Sequence, residues 1–283
     1  MNISYFNGYY LPHGEICISP DDRGFLFAEG VYEVARWYGK QFLGIESHTE
    51  RLKRSLREMK IDWPEADNYP SLAHELIIRN RMAGKQALVY LQVTRGSAAR
   101  THSFPSPPVN PTVYAFAKEK KTGNRDNETG IGILMTEDIR WSRCDIKSIS
   151  LLANTMGFQE ALDKNMQECL FVRDGVMTEC SHSNIFFVRD NIIYTHPESK
   201  YILSGVTRKI IIKTAREIGM IVKEEPVRAD DLHKFREVFI GSTSFEITPV
   251  TGIDGVQIGN GVPGPVTRLI MSGFEAVLIP LKG

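Results

Sequence analysis

What most constrains this chain is its punctuation. Short runs rich in β-branched and aromatic residues are closed by turn dipeptides. Gly39-Lys40 follows the run 30–38, Asp174-Gly175 follows 168–173, and Asp190-Asn191 precedes 192–195. Runs of this length joined by such turns predict β-hairpins. Further strands are expected at 3–10 and 14–19, joined by a turn at Pro12-His13-Gly14, and at 87–94, 112–117, 130–136 and 237–240. Helical stretches are expected over 46–60, 69–81, 151–163, 208–219 and 266–278. The fold class predicted is α+β.

The stretch 118–129 is charged and polar and has no apolar period. It predicts a boundary: a first domain over 1–118, a linker over 119–128 and a second domain over 129–283. The chain carries 34 basic and 34 acidic side chains, so its formal net charge is zero. That gives no electrostatic reason to expect nucleic acid or an anionic membrane as partner. Cys17, Cys144, Cys169 and Cys180 are widely spaced, with no metal-ligand spacing, so no metal is expected and thiols are the default. No window reaches the roughly 18 apolar residues of a membrane span. The N-terminus lacks the basic start and apolar run of a secretory signal. A cytoplasmic protein is expected.

The candidate chemistry starts at Arg143-Cys144-Asp145-Ile146-Lys147-Ser148-Ile149-Ser150, which reads as a short strand before a helix. A lysine buried at a strand end becomes a nucleophilic amine, because burial disfavours the ammonium; the same residue also reads as lying on the wet face of an edge strand. Ser204-Gly205-Val206-Thr207 precedes a helix expected from Arg208, where free N–H groups and the helix dipole favour a phosphate. Ser204 or Thr207 also reads as an ordinary cap. Gly241-Ser242-Thr243-Ser244 ends a strand and offers hydroxyl donors. Arg51 suits a phosphate clamp or the surface of its helix. Glu179 suits a partner for a pyridine nitrogen or a turn cap. Arg100-Thr101-His102 reads as a carboxylate trap or a solvated loop, and Tyr32 as a phenol aimed at a site or a core aromatic.

Taken in order, several segments resemble the class IV aminotransferases, the fold-type IV pyridoxal-phosphate enzymes. They include Asp22-Arg23-Gly24, Gly30-Val31-Tyr32-Glu33-Val34, Gln92-Val93-Thr94-Arg95-Gly96 and Arg100-Thr101-His102-Ser103-Phe104-Pro105. They continue with Glu137-Asp138-Ile139-Arg140-Trp141, the Lys147 stretch, Ser183-Asn184, Gly205-Val206-Thr207-Arg208 and Glu246-Ile247-Thr248-Pro249-Val250. The resemblance spans nearly the whole chain. It implies two domains, the second carrying the cofactor lysine, with pyridoxal 5′-phosphate at the domain interface. Lys147 then resembles the lysine that bonds the cofactor and moves the proton. Glu179 resembles the partner of the ring nitrogen. Arg51, Gly205, Val206, Thr207, Ser242 and Thr243 resemble the residues around the cofactor. Tyr32, Ser244 and His182 fall beside the substrate, with Arg100 and His102 reaching in from the other subunit of a homodimer.

The implied activity is ping-pong transamination of D-amino acids with 2-oxo acids such as 2-oxoglutarate or pyruvate. The alternatives are a branched-chain L-amino-acid aminotransferase, an (R)-amine transaminase, aminodeoxychorismate lyase, or a non-catalytic cofactor-binding protein. Two positions depart from the pattern: Cys180 stands where the family has glycine, and His182 where it has serine.

Overall fold

The computed structural model describes residues 2–120 and 126–282. They fall into two compact units. One gathers the N-terminal residues with Ile146–Ser150 and the chain from Pro280; the other takes the remainder.

The first unit is a five-stranded antiparallel sheet with helices on one face. Its strands are β1 (Ile3–Phe6), β2 (Tyr9–Pro12), β3 (Gly30–Tyr38), β4 (Gln86–Thr94) and β5 (Thr112–Glu119), in the order β2-β1-β5-β4-β3. α1 (Arg23–Phe27) precedes β3, and α2 (Ile45–Met59) and α3 (Tyr69–Arg79) lie between β3 and β4. Period-2 alternation decides which face is covered. Ala87, Val89, Leu91 and Val93 of β4 are all buried, as are Val31, Ala35 and Trp37 of β3. They pack against Leu52, Leu56, Leu72, Leu76 and Ile77 of the two helices. Glu33 has the same parity as Val31 and Ala35, so β3 carries a carboxylate into the core. The first hairpin turns at Asn7-Gly8, both at positive φ, and not at Pro12-His13-Gly14. Residues 13–15 form a 3-10 turn, and no strand runs over 14–19.

The second unit is built on a ten-stranded mixed sheet. After the short α4 (Asp126–Thr129) come β6 (Ile131–Glu137), α5 (Leu152–Asp163), β7 (Glu168–Arg173), β8 (Val176–Cys180), β9 (Asn184–Arg189) and β10 (Ile192–Thr195). α6 (Val206–Glu217), β11 (Ile221–Glu224), β12 (Val227–Arg228), β13 (Glu237–Ser242), β14 (Glu246–Ile253), β15 (Val256–Gln257) and α7 (Pro265–Leu278) complete it. The sheet order is β11-β10-β9-β13-β14-β6-β7-β8-β12, with β15 paired to β14. The hairpin β7–β8 has a bulge. Leu170 faces Cys180 and Val172 faces Met177, so one residue of β7 spans two of β8, Thr178 and Glu179. A bulge re-aims side chains, and Met177 through Cys180 are buried in succession.

Two further sequence expectations are corrected here. Residues 143–150 are not a strand: they make only one bridge, Ser148 to Val31. Residues 146–150 group with the first unit and not with the second, because their backbone is bonded to β3. Tyr32 N donates to Lys147 O (3.0 Å) and Ile149 N to Gly30 O (3.0 Å). The strands β11 and β14, unmarked by clear turn signals, went unforeseen. Of the expected linker, residues 121–125 lie outside the described residues; Glu119 ends β5 and Asp126 opens α4.

The N-terminus of α7 is held by the opening residue of β13. Glu237 accepts from Val266 N (3.1 Å), Thr267 N (2.7 Å) and Thr267 Oγ1 (2.7 Å). Removing a carboxylate cap leaves those N–H groups without their acceptor and costs about 2 kcal/mol. Glu237→Ala is therefore expected to lower the urea midpoint, with Glu237→Gln intermediate. Equal midpoints for wild type and Glu237→Ala would contradict the cap.

Candidate active site

Lys147 is fixed through its backbone. Its N–H donates to Ser55 Oγ of α2 (3.2 Å), and its carbonyl accepts from Tyr32 N of β3 (3.0 Å). The side chain is half-buried, and its Nζ stands 4.2 Å from the centroid of the Tyr32 ring. That face attracts an ammonium by its quadrupole. Tyr32 in turn stacks on Tyr90 of β4, with centroids 5.7 Å apart.

Below Lys147 lies a buried charge cluster. Helical spacing puts His48, Arg51, Leu52 and Ser55 on neighbouring turns of α2, facing β3. Glu33 meets them there. Arg51 forks onto it, Nε to Oε1 at 2.7 Å and Nη2 to Oε2 at 2.8 Å, and His48 Nδ1 lies 2.7 Å from Oε2. Burial pushes the Glu33 carboxyl up. The charge of Arg51 and the hydrogen bonds from Arg51 and His48 outweigh it, and the carboxyl falls to about 2. Burial pushes His48 down, against the pull of Glu33. The neutral ring then carries its proton on Nδ1, where Glu33 accepts it. The arginine expected at a phosphate is thus engaged with a carboxylate that sequence reading did not single out.

Glu179 is the focus of the second unit. Its Oε1 accepts from Arg140 Nη1 (2.6 Å); its Oε2 accepts from Asn184 Nδ2 (3.0 Å) and Leu203 N (3.0 Å). Arg140 is itself forked onto Asp138 (Nε–Oδ1 2.9 Å, Nη2–Oδ2 3.0 Å). Burial pushes the Glu179 carboxyl above the usual carboxylate range, with Arg140 and the Leu203 N–H pulling the other way. Burial would lower Arg140, but the flanking carboxylates raise it, so its charge stays in place.

Asn184 ties this carboxylate to the next feature, since its Nδ2 also donates to Leu203 O (3.1 Å). Two residues on, Gly205 is the N-cap of α6, which begins at Val206, and no side chain caps that helix. A Cβ on Gly205 would collide with Asn184 Oδ1, so only glycine fits there. Ser204 does not cap the helix; its hydroxyl donates to Glu198 (2.6 Å). Gly241 needs the same close approach, since a Cβ there would run into Ile211 Cδ1 of α6. The turn at 242–245 is closed by Phe245 N donating to Ser242 Oγ (3.1 Å).

The sequence-marked residues thus separate into two groups. Tyr32, Arg51 and Lys147 cluster in the first unit. Glu179 and the turn before Val206 and Thr207 are joined in the second. Cys180 is buried in the core, while His182 lies on the turn after β8. Arg100 and His102 are exposed. Both lean on Phe27, at 5.2 Å and 5.8 Å from its ring centroid. Their loop is anchored by the buried Arg23, whose Nη1 donates to Thr101 O (2.9 Å). Glu33, His48, Asp138, Arg140 and Asn184 were missed as site residues. The parity of Glu33 within β3 and the i,i+3 pair His48–Arg51 were the available signals.

A family model for amino-transferase class IV matches residues 30–253. The D-alanine aminotransferase of Staphylococcus haemolyticus is 40% identical over 272 residues, 96% of each chain. That of Bacillus licheniformis is 38% identical over 95% of each. Among solved structures, a branched-chain amino acid aminotransferase of Escherichia coli matches with a TM-score of 0.91 at 24% identity, covering 100% of this chain and 96% of that one. At that identity the match speaks for the fold. A branched-chain amino acid aminotransferase from T.th. with pyridoxamine 5′-phosphate gives a TM-score of 0.89 at 26% identity, covering 98% of this chain and 94% of that one.

The Glu33 cluster makes stability depend on acid in a defined direction. A depressed carboxyl contributes stability that is complete above the ordinary carboxylate range and is lost as pH falls through about 2. Glu33→Gln takes away the carboxylate that Arg51 forks onto and is expected to cost about 3–5 kcal/mol near neutrality. Urea titrations between neutrality and strong acid should show a steeper loss for wild type than for the variant. Parallel curves would contradict a charged Glu33.

Proposed function

The chain belongs to the class IV aminotransferases, and from that membership we propose that it moves the amino group of D-amino acids such as D-alanine to 2-oxo acids. The observation that carries this reading is the likeness to D-alanine aminotransferases over nearly the whole length. The cofactor is pyridoxal 5′-phosphate, which supplies an electron sink for the charge left at the substrate Cα.

The residues present fit that group. Lys147 offers an amine whose backbone is pinned on both sides, and it would be the residue that holds the cofactor. Its Nζ would serve as the base that moves the proton at the substrate Cα. Tyr32, in contact with that amine, orients it. Glu179 would be the partner of the ring nitrogen; Arg140, Asn184 and the Leu203 N–H fix its carboxylate in place. The N-terminus of α6 at Gly205, Val206 and Thr207, with the hydroxyls of Thr243 and Ser242, would hold the phosphate. Arg51, fixed by Glu33, is the guanidinium of the first unit that would suit the same anion. Ser244 and His182 line the substrate side.

Arg100 and His102 bind the substrate carboxylate in the partner subunit of a homodimer. Their exposure together supports this. So do the exposed apolar side chains on and near the same loop, Phe25 and Phe104 among them. Holding the carboxylate from one side decides which enantiomer presents its single Cα–H to Lys147, and so sets D selectivity.

Lys147→Ala is expected to lose the visible absorbance of protein-bound cofactor and about 10³-fold or more of D-alanine turnover. Arg100→Ala should keep that absorbance while its KM for D-alanine rises about tenfold or more. Unchanged D-alanine kinetics in Arg100→Ala would remove the carboxylate assignment, and L-leucine turnover in place of D-alanine would remove the D-amino-acid reading.

A further inference from the structure

A second buried carboxylate stands one strand from Glu179 and has no place in the scheme above. Glu168, the first residue of β7, is fully buried. Its Oε1 accepts from Cys169 N (2.8 Å), Ser181 N (3.2 Å) and, by a very short bond, Ser181 Oγ; its Oε2 accepts from Ser183 Oγ (3.1 Å). Among the described residues it makes no ion pair with a lysine or an arginine. The one titratable cation within reach is His182, whose Nδ1 is 3.1 Å from Oε2.

Hydrogen-bond accounting fixes how that ring is used. Ser181 has one hydroxyl proton, and it is committed to Glu168. The contact of 2.6 Å between Ser181 Oγ and His182 Nδ1 therefore needs the proton on Nδ1. The ring's other polar atom is Nε2, which no described residue bonds. Two aromatic rings hold the imidazole plane: Phe158 of α5 edge-on at 5.2 Å, and Phe245, which closes the Ser242–Ser244 turn, at 5.0 Å. The side chain is 38% exposed, so Nε2 has a way out of the protein. Held between Glu168 and an incoming carboxylate, the ring donates from both nitrogens, Nδ1 inward and Nε2 outward. The other titratable groups around it, Cys169, Cys180 and Glu179, add no competing cation.

We propose that His182, backed by Ser181 and Glu168, is a specificity residue whose Nε2–H binds the distal carboxylate of the substrate. It would favour dicarboxylic partners, such as D-glutamate, D-aspartate and 2-oxoglutarate, over D-alanine and pyruvate. The inference rests on reading the Ser242–Ser244 turn as the substrate side. A charge-assisted bond to a carboxylate is worth about tenfold or more in affinity.

The test compares glutarate with butyrate by calorimetry on the cofactor-loaded protein, because the two ligands differ by the distal carboxylate. Wild type is expected to bind glutarate about tenfold more tightly than butyrate. His182→Asn keeps a donor at the Nδ1 position and lacks Nε2, so the ratio should fall toward one. His182→Gln places an amide near Nε2 and should restore part of it. A ratio unchanged in His182→Asn overturns the proposal. So does an unchanged ratio combined with faster loss of cofactor, which would assign Nε2 to the phosphate. The ratio does not depend on which enantiomer reacts. Failure of the D-amino-acid reading would appear separately, as absence of D-alanine turnover by wild type.

Discussion

The first unit depends on one unfavourable burial made favourable. Period 2 in β3 delivers Glu33 to the covered face of the sheet, where an isolated carboxylate is not tolerated. The inner face of α2 answers with Arg51 and His48, three residues apart and hence adjacent on the helix. That pairing fixes the rotation of α2 against β3. The rotation then decides where Ser55, one turn beyond Arg51, presents its hydroxyl to Lys147 N. The position of the lysine is therefore set by packing and charge in a core it does not enter, and this explains why 146–150 belong with the first unit although they lie far along the chain.

In the second unit the same logic runs through backbone geometry. The bulge in β8 turns Thr178 and Glu179 inward in succession. Arg140, held in turn by Asp138, compensates the buried charge, and Asn184 passes its orientation on to the turn at Leu203–Gly205. The Glu179 carboxylate and the turn that opens α6 are thereby joined by one chain of hydrogen bonds.

Periodicity and turn dipeptides made most helices and hairpins legible, because those signals are local. The alternation in β4 and the apolar face of α2 each lie within one short window. What stayed hidden was long-range. Residues 143–150 have strand-like composition, yet their partner is the opening of β3, more than a hundred positions earlier, and a single bridge is all that forms. The first turn was misplaced because Asn7-Gly8, a turn signal in its own right, was passed over for the Pro12-His13-Gly14 cluster. Glu33 and Arg140 look like surface charges in a one-dimensional reading; only the fold shows that each is buried opposite its counter-charge. Glu179 and Gly205 stand out in the sequence because they lie at element ends, near the close of β8 and just before α6, and such ends are marked locally; Lys147 lies at no element end.

The two carboxylates of the β7–β8 hairpin show how local context divides labour between identical groups. Glu179 is held by a permanently charged guanidinium and two N–H donors, so its position is fixed. Glu168 has hydroxyls, backbone N–H groups and one imidazole. Its contact with His182 is a bond from Nδ1. A serine at position 182 would leave the hydroxyl network alone around it. Histidine there directs its outward nitrogen away from the core. The imidazole thereby stands beside Phe245, the residue whose N–H closes the hydroxyl-lined turn at Ser242.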